Sequence, residues 1–219
     1  MMRSRPWWSR LVPGAARRPV AALSRVALDT RPAPAGTDLR WRPGLLSQTL
    51  TPAEISDPAS GQRLGDDAAL WHDSREGGLR LRQIPGAEPL APFRLQLETE
   101  GFPGSYLSLS IDLPPEAQSD LLQAHILRLE TVLWSEQPLR SFGRLNVRNG
   151  PNTDKILRDL PLPQARDSGP TVIEFDLAAM DINEKRLEKI WLDLIFEQPQ
   201  ANMIEIGEMI LSRHLRASF

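Results

Sequence analysis

Trp134, Arg144, Asn146, Arg148, Trp191 and Asp193 are the side chains of this 219-residue chain whose types and spacing best suit recognition chemistry. All six fall on the polar phase of segments in which apolar and polar residues alternate. If those segments are strands, all six point away from a core. A flat indole can cover the apolar face of a pyranose ring. Guanidinium, amide and carboxylate groups can form paired hydrogen bonds with adjacent hydroxyls. Two other readings stand beside this one: a solvated sheet face carrying cross-strand ion pairs, and a surface for a protein partner.

Other chemistries have less to build on. The chain has no cysteine, which excludes disulfides, thiolate metal sites and a thiol nucleophile. Its three histidines, His72, His125 and His214, form no HxH or HExxH pair, so neither a metal nor another cofactor is expected. Asp57, Asp66, Asp67 and Asp73 could offer oxygens to calcium, but their spacing matches no EF-hand loop. Asp193 with Glu197, and Glu174 with Asp176, lie on single strand faces rather than opposed across a gap as a glycosidase pair would be. No GxSxG elbow, Walker loop or GxGxxG fingerprint occurs, and the chain is expected not to be an enzyme. The loop Asn149-Gly150-Pro151-Asn152 reads as turn chemistry before it reads as a site.

The elements that must carry these residues are strands. Phe93, Leu95 and Leu97 alternate with Arg94, Gln96 and Glu98; Leu107, Leu109 and Ile111 alternate with Tyr106, Ser108, Ser110 and Asp112. The same rhythm returns in Leu127 to Trp134, Phe142 to Arg148, Ile173 to Leu177, Ile190 to Glu197 and Ile204 to Arg213, with a weaker segment at Lys155 to Leu160. In the last segment Ile204, Ile206 and Ile210 are expected on one face and Met209, Leu211 and Arg213 on the other. Met180 to Glu188 reads as one or two helical turns with Glu184, Lys185, Glu188 and Lys189 in reach of one another. Residues 44 to 78 read as an irregular lead-in with one short strand at Ala68 to His72. About eight to ten short strands with almost no helix predict an all-β, antiparallel jelly-roll β-sandwich.

Charge divides the chain. Residues 1–42 hold nine Arg against Asp29 and Asp38, a net charge of +7, which leaves −9 for the remainder. Residues 1–43 are read as a basic, Arg- and Pro-rich N-terminal arm and linker, partly disordered or helical, and residues 44–219 as the sandwich domain. Trp7-Trp8 and a helix expected over Pro19 to Leu28 could lay residues 1–35 on an anionic membrane surface; nucleic acid is the weaker alternative. Arg25 and Asp29 interrupt the apolar run that an export signal needs, and no stretch reaches the roughly 18 apolar residues of a spanning helix.

The segment Lys189-Ile-Trp-Leu-Asp-Leu-Ile-Phe-Glu followed by Met203-Ile-Glu-Ile-Gly-Glu-Met-Ile-Leu-Ser resembles the closing strand pair of galactose-binding-like jelly rolls and many carbohydrate-binding modules. A second likeness runs from about residue 39 to the end. It is carried by Leu39-Arg-Trp-Arg-Pro, Gly65-Asp-Asp, Trp71-His-Asp, Arg144-Leu-Asn-Val-Arg-Asn-Gly-Pro-Asn-Thr, Glu174-Phe-Asp-Leu, Ile182-Asn-Glu-Lys-Arg, Trp191-Leu-Asp-Leu-Ile-Phe-Glu and Ser212-Arg. On these pieces the chain resembles a family of domains of unknown function found mainly in alphaproteobacteria of the Rhodobacter group. That resemblance implies a bacterial, cytoplasmic setting and carries no functional residues. The chain is therefore expected to be a non-catalytic binding module for a glycan or cell-envelope polymer. The alternative is a protein-interaction or adaptor domain whose cationic arm contacts membrane or nucleic acid. Oligomeric state is not legible.

Overall fold

The structure, a computed structural model, describes residues 31–217. The Trp7-Trp8 pair, the helix expected over Pro19 to Leu28 and most of the Arg-rich arm lie outside the described residues. Thirteen strands follow within them: β1 (Leu39–Trp41), β2 (Glu54–Ser56), β3 (Gln62–Leu64), β4 (Ala68–His72), β5 (Leu79–Glu88), β6 (Ala91–Thr99), β7 (Tyr106–Asp112), β8 (His125–Ser135), β9 (Ser141–Asn149), β10 (Asn152–Asp159), β11 (Thr171–Asp176), β12 (Leu187–Glu197) and β13 (Asn202–Leu215). A single helical turn, α1 (Gly44–Ser47), is the one α-helix among the described residues.

The strands form two antiparallel sheets. One runs β11-β8-β13-β6-β5-β2, with β1 pairing the C-terminal half of β13; the other runs β10-β9-β12-β7-β4-β3. From β6 onward every connection except the β9–β10 hairpin crosses from one sheet to the other, so sequence neighbours are rarely sheet neighbours. This is the jelly-roll sandwich that the alternation predicts.

Alternation sets the core. Leu81, Leu95, Leu97, Leu127, Leu129, Ile204 and Ile206 from one sheet meet Leu70, Leu107, Leu109, Leu145, Leu192, Leu194 and Phe196 from the other, all almost fully buried. Each such side chain contributes roughly 1.5–3 kcal/mol by leaving water. Gly143 sits on the inward phase of β9 where a Cβ would stand 2.4 Å from the Ile173 side chain, so close approach of β11 accounts for the missing side chain. The β9–β10 hairpin turns at Gly150 (φ +60°), and Asn149 Nδ2 donates to Asp154 Oδ2 at 2.7 Å. Asn-Gly here serves the turn.

Several expectations need correction. Residues 39–41, counted with the linker, form β1, fastened by Arg213 Nε and Nη2 donating to the two carboxylate oxygens of Asp38 at 2.9 Å each. The lead-in holds α1, β2 and β3 as well as β4, elements too short to leave a period. Of the one or two helical turns expected over Met180 to Glu188, the structure has a single 3-10 turn, Glu184–Arg186, after which β12 begins at once; another 3-10 turn, Leu177–Ala179, precedes the segment. In β13 a bulge between Ile206 and Met209 shifts the phase by one residue. Ile204 and Ile206 therefore face the core with Met209 and Leu211, and Ile210 does not join that cluster.

Candidate functional site

The outer face of the β10-β9-β12-β7-β4-β3 sheet is organised as rungs of directly opposed residues. One rung runs Leu157, Arg144, Asp193, Ser110, Ala69 across β10, β9, β12, β7 and β4. The next on one side runs Phe142, Ile195, Ser108, Trp71, and the next on the other side runs Lys155, Asn146, Trp191, Asp112. Residues two apart on a strand share a face, which brings these positions together.

Small side chains in the middle strands and large ones around them make a cleft. Ser108 and Ser110 on β7 form its floor, and Trp71, Tyr106, Trp191, Lys189 and Ile195 rise beside them, enclosing about 550 Å³. Trp71 and Trp191 lie four residues apart in β7 register and two strands apart laterally, about 16 Å between backbones at ordinary strand spacing. Trp71 is 46% exposed. Its ring packs over Gly61, whose φ of +87° and missing Cβ leave room for it.

The polar centre is Asp193. Its side chain is only 5% exposed although it lies on the outer face. Oδ2 accepts from Arg144 Nε at 3.0 Å, Arg144 Nη2 at 2.8 Å and Asn146 Nδ2 at 2.9 Å. Asn146, 1% exposed, also donates to the backbone oxygens of Arg144 and Trp191. All three bonds to the carboxylate fall on one oxygen, so Oδ1 has no hydrogen-bond donor among the described residues. Lys189 Nζ is 2.7 Å from Asp112 Oδ1 and 5.6 Å from the centre of the Trp191 ring, which ties that indole to its neighbours through its π-face.

Of the six residues chosen from sequence, Arg144, Trp191 and Asp193 line the cleft, and Asn146 lies beneath it as a support. Arg148 shares the face but pairs with Glu188 at 3.3 Å, beyond the cleft. Trp134 is on β8, in the opposite sheet, and is not brought near the others. There it is capped by the Arg166 guanidinium, 3.9 Å from the ring centre, and its Nε1 donates to the Gln164 carbonyl. Tyr106, Ser108 and Ser110 are on the outward phase that the sequence reveals, but their position beside β12 is not legible there. Trp71 sits on a strand too short for alternation to single it out, and Lys189, read for its reach to the helical turns before it, lies on β12.

Three of the four aspartates considered for calcium are engaged in local hydrogen bonds. Asp57 Oδ1 accepts from Gly78 N, Asp67 Oδ2 from Gly44 N, and Asp73 Oδ1 from Ser105 N. Among the described residues no group of three His, Cys, Asp or Glu could hold a metal, and no helix is long and apolar enough to cross a membrane.

One protein-family model, that of the Family of unknown function (DUF6478), matches residues 9–219. No curated protein matches the chain. Among solved structures it is similar to the family 11 carbohydrate-binding module from Clostridium thermocellum (8% identity, TM-score 0.44, covering 72% of this chain and 94% of that one). It is also similar to a C-terminal family 22 carbohydrate-binding module of Clostridium thermocellum (7% identity, TM-score 0.44, covering 86% and 100%). A third likeness is to the enzymatically active domain of bacteriophage CBA120 tailspike protein 4 (10% identity, TM-score 0.47), where 74% of this chain spans 22% of that one.

Proposed function

This chain belongs to that family of unknown function, and from its cleft we propose that it is a non-catalytic module that binds a glycan or cell-envelope polymer on the outer face of the β10-to-β3 sheet. The observation that carries the reading is the convergence of Arg144, Trp191 and Asp193 with Trp71 and Tyr106 around one cleft of about 550 Å³. That volume is within the range of small-ligand sites. An exposed indole, Trp71, and a half-buried one, Trp191, supply stacking area at the two ends. Between them a nearly buried carboxylate keeps one oxygen for a ligand hydroxyl beside the Arg144 guanidinium. Groups already fixed by Asn146 lose little freedom when a ligand arrives, which favours affinity.

Catalysis finds no second acid here. Asp193 is the one carboxylate among the lining residues; Asp112, on the neighbouring rung, is engaged by Lys189, and Glu197 by Arg140 at 3.1 Å. Titration calorimetry with a polysaccharide panel tests the reading. Binding that is lost in Trp191→Ala and weakened at least about tenfold in Arg144→Ala supports it. Binding unchanged in both variants, or absent from the wild-type protein across the panel, rejects it.

A further inference from the structure

We infer that the cleft selects uncharged glycan carrying adjacent free hydroxyls and rejects uronic acids and other anionic polymers, an inference that rests on the glycan reading above. Every charged side chain lining the cleft already has an opposite charge in contact. Arg144 is matched by Asp193 at 2.8 Å and Lys189 by Asp112 at 2.7 Å. The nearby Arg148 is matched by Glu188 at 3.3 Å. The cleft therefore offers no surplus positive charge to a ligand.

Geometry makes the rejection active as well as passive. A ligand carboxylate seeking Arg144 must settle beside the Asp193 carboxylate, whose side chain is 95% withdrawn from water and so poorly screened. Lys189 cannot swing over to compensate without leaving Asp112 and the Trp191 ring. A neutral diol meets neither obstacle. One hydroxyl can donate to Asp193 Oδ1 while its neighbour accepts from Arg144 Nη1, two atoms with no hydrogen-bond partner among the described residues. Ser108 and Ser110 on the floor add hydroxyls that adapt to either role. Asp193 is thus both an acceptor for the chosen ligand and the repelling element against the wrong one.

The test is calorimetry of the full chain against a neutral series (mixed-linkage β-glucan, xylan, mannan) and an anionic series (polygalacturonate, alginate), in salt of about 0.05 M and about 0.5 M. The expected result is binding to a neutral polymer with affinity unchanged between the two salts and no binding of polygalacturonate. In Asp193→Asn, which keeps the shape and frees Arg144, polygalacturonate affinity should rise at least about tenfold. Wild-type binding of the anionic series as tight as that of the neutral one, or tight binding that collapses at high salt, overturns the inference while leaving the glycan reading standing. A folded Asp193→Asn protein with no gain for polygalacturonate also overturns it. If that variant does not fold, the wild-type salt series decides alone. Binding of neither series overturns both.

Discussion

Asn146 Nδ2 donates to Asp193 Oδ2 across the β9–β12 pair at 2.9 Å, and this one bond helps make an outward-pointing carboxylate a fixed, nearly buried feature of the cleft. Because Asn146 also holds the backbone oxygens of Arg144 and Trp191, it sets the positions of the three cleft residues it touches.

Asn146→Ala is expected to lower stability by about 1–3 kcal/mol, the usual cost of leaving buried acceptors unsatisfied. Glycan binding should weaken in the same variant although Asn146 is itself 1% exposed and beneath the cleft. Chemical denaturation and calorimetry on one preparation check both. An unchanged affinity would mean that Asp193 is held by Arg144 alone.

Trp134 and Trp191 should separate cleanly. Trp191→Ala is expected to remove binding with little loss of stability, whereas Trp134→Ala should leave affinity intact and lose the Arg166 stack, a cost of about 0.5–2 kcal/mol. Loss of binding in Trp134→Ala would place the site on the wrong sheet.

The serine floor gives a steric test. Ser110 lies opposite Asp193 and Ala69 at the centre of the cleft, and Ser110→Leu fills that space without touching the inward core. Its stability should change by no more than about 0.5 kcal/mol, as for surface substitutions generally, while ligand binding falls at least about tenfold. Full binding in a folded Ser110→Leu protein would show that ligand does not enter the cleft.

Two carboxylates should give opposite pH dependences. Burial pushes the Glu205 carboxyl up. Hydrogen bonds from Arg94 at 2.6 Å and Gln96 at 3.3 Å, with the charges of Arg94 and Arg166, outweigh it and hold the group below the ordinary glutamate value of 4.5. A depressed folded value stabilises above the unfolded value and is lost as pH falls through the folded one, so Glu205→Gln should flatten the acid limb of the melting curve below pH 4.5. Asp67 is raised above 3.8, chiefly because burial penalises its charge. Its stabilising effect is present below the unfolded value and fades as pH rises through the folded one. Asp67→Asn should therefore compare more favourably with the wild-type protein near pH 7 than near pH 3, in melting temperatures measured at both.

The sandwich was legible because its strands have one wet face and one dry one, and alternation survives wherever that holds. Leu107 to Ile111 and Ile190 to Phe196 are read straight from it. It fails at β13, where one bulge reverses the phase so that Met209 and Leu211 take over from Ile206. Alternation also says which face a residue is on and nothing about which sheet. Trp134 and Trp191 carry the same outward signal, yet the jelly-roll crossing puts β8 and β12 in different layers. The floor of the cleft was legible only as an outward face: Ser108 and Ser110 matter for their smallness beside taller neighbours that the chain supplies from β4 and β12, and alternation does not pair those strands.

The six tryptophans of the chain allow the central claim to be tested in one titration. With indole N–H resonances assigned by single Trp→Phe variants, saturating neutral polysaccharide should shift the signals of Trp71 and Trp191 and leave that of Trp134 in place. A shift confined to Trp134, or no shift at either cleft indole under conditions where calorimetry detects binding, would contradict a glycan site on the β10-to-β3 face.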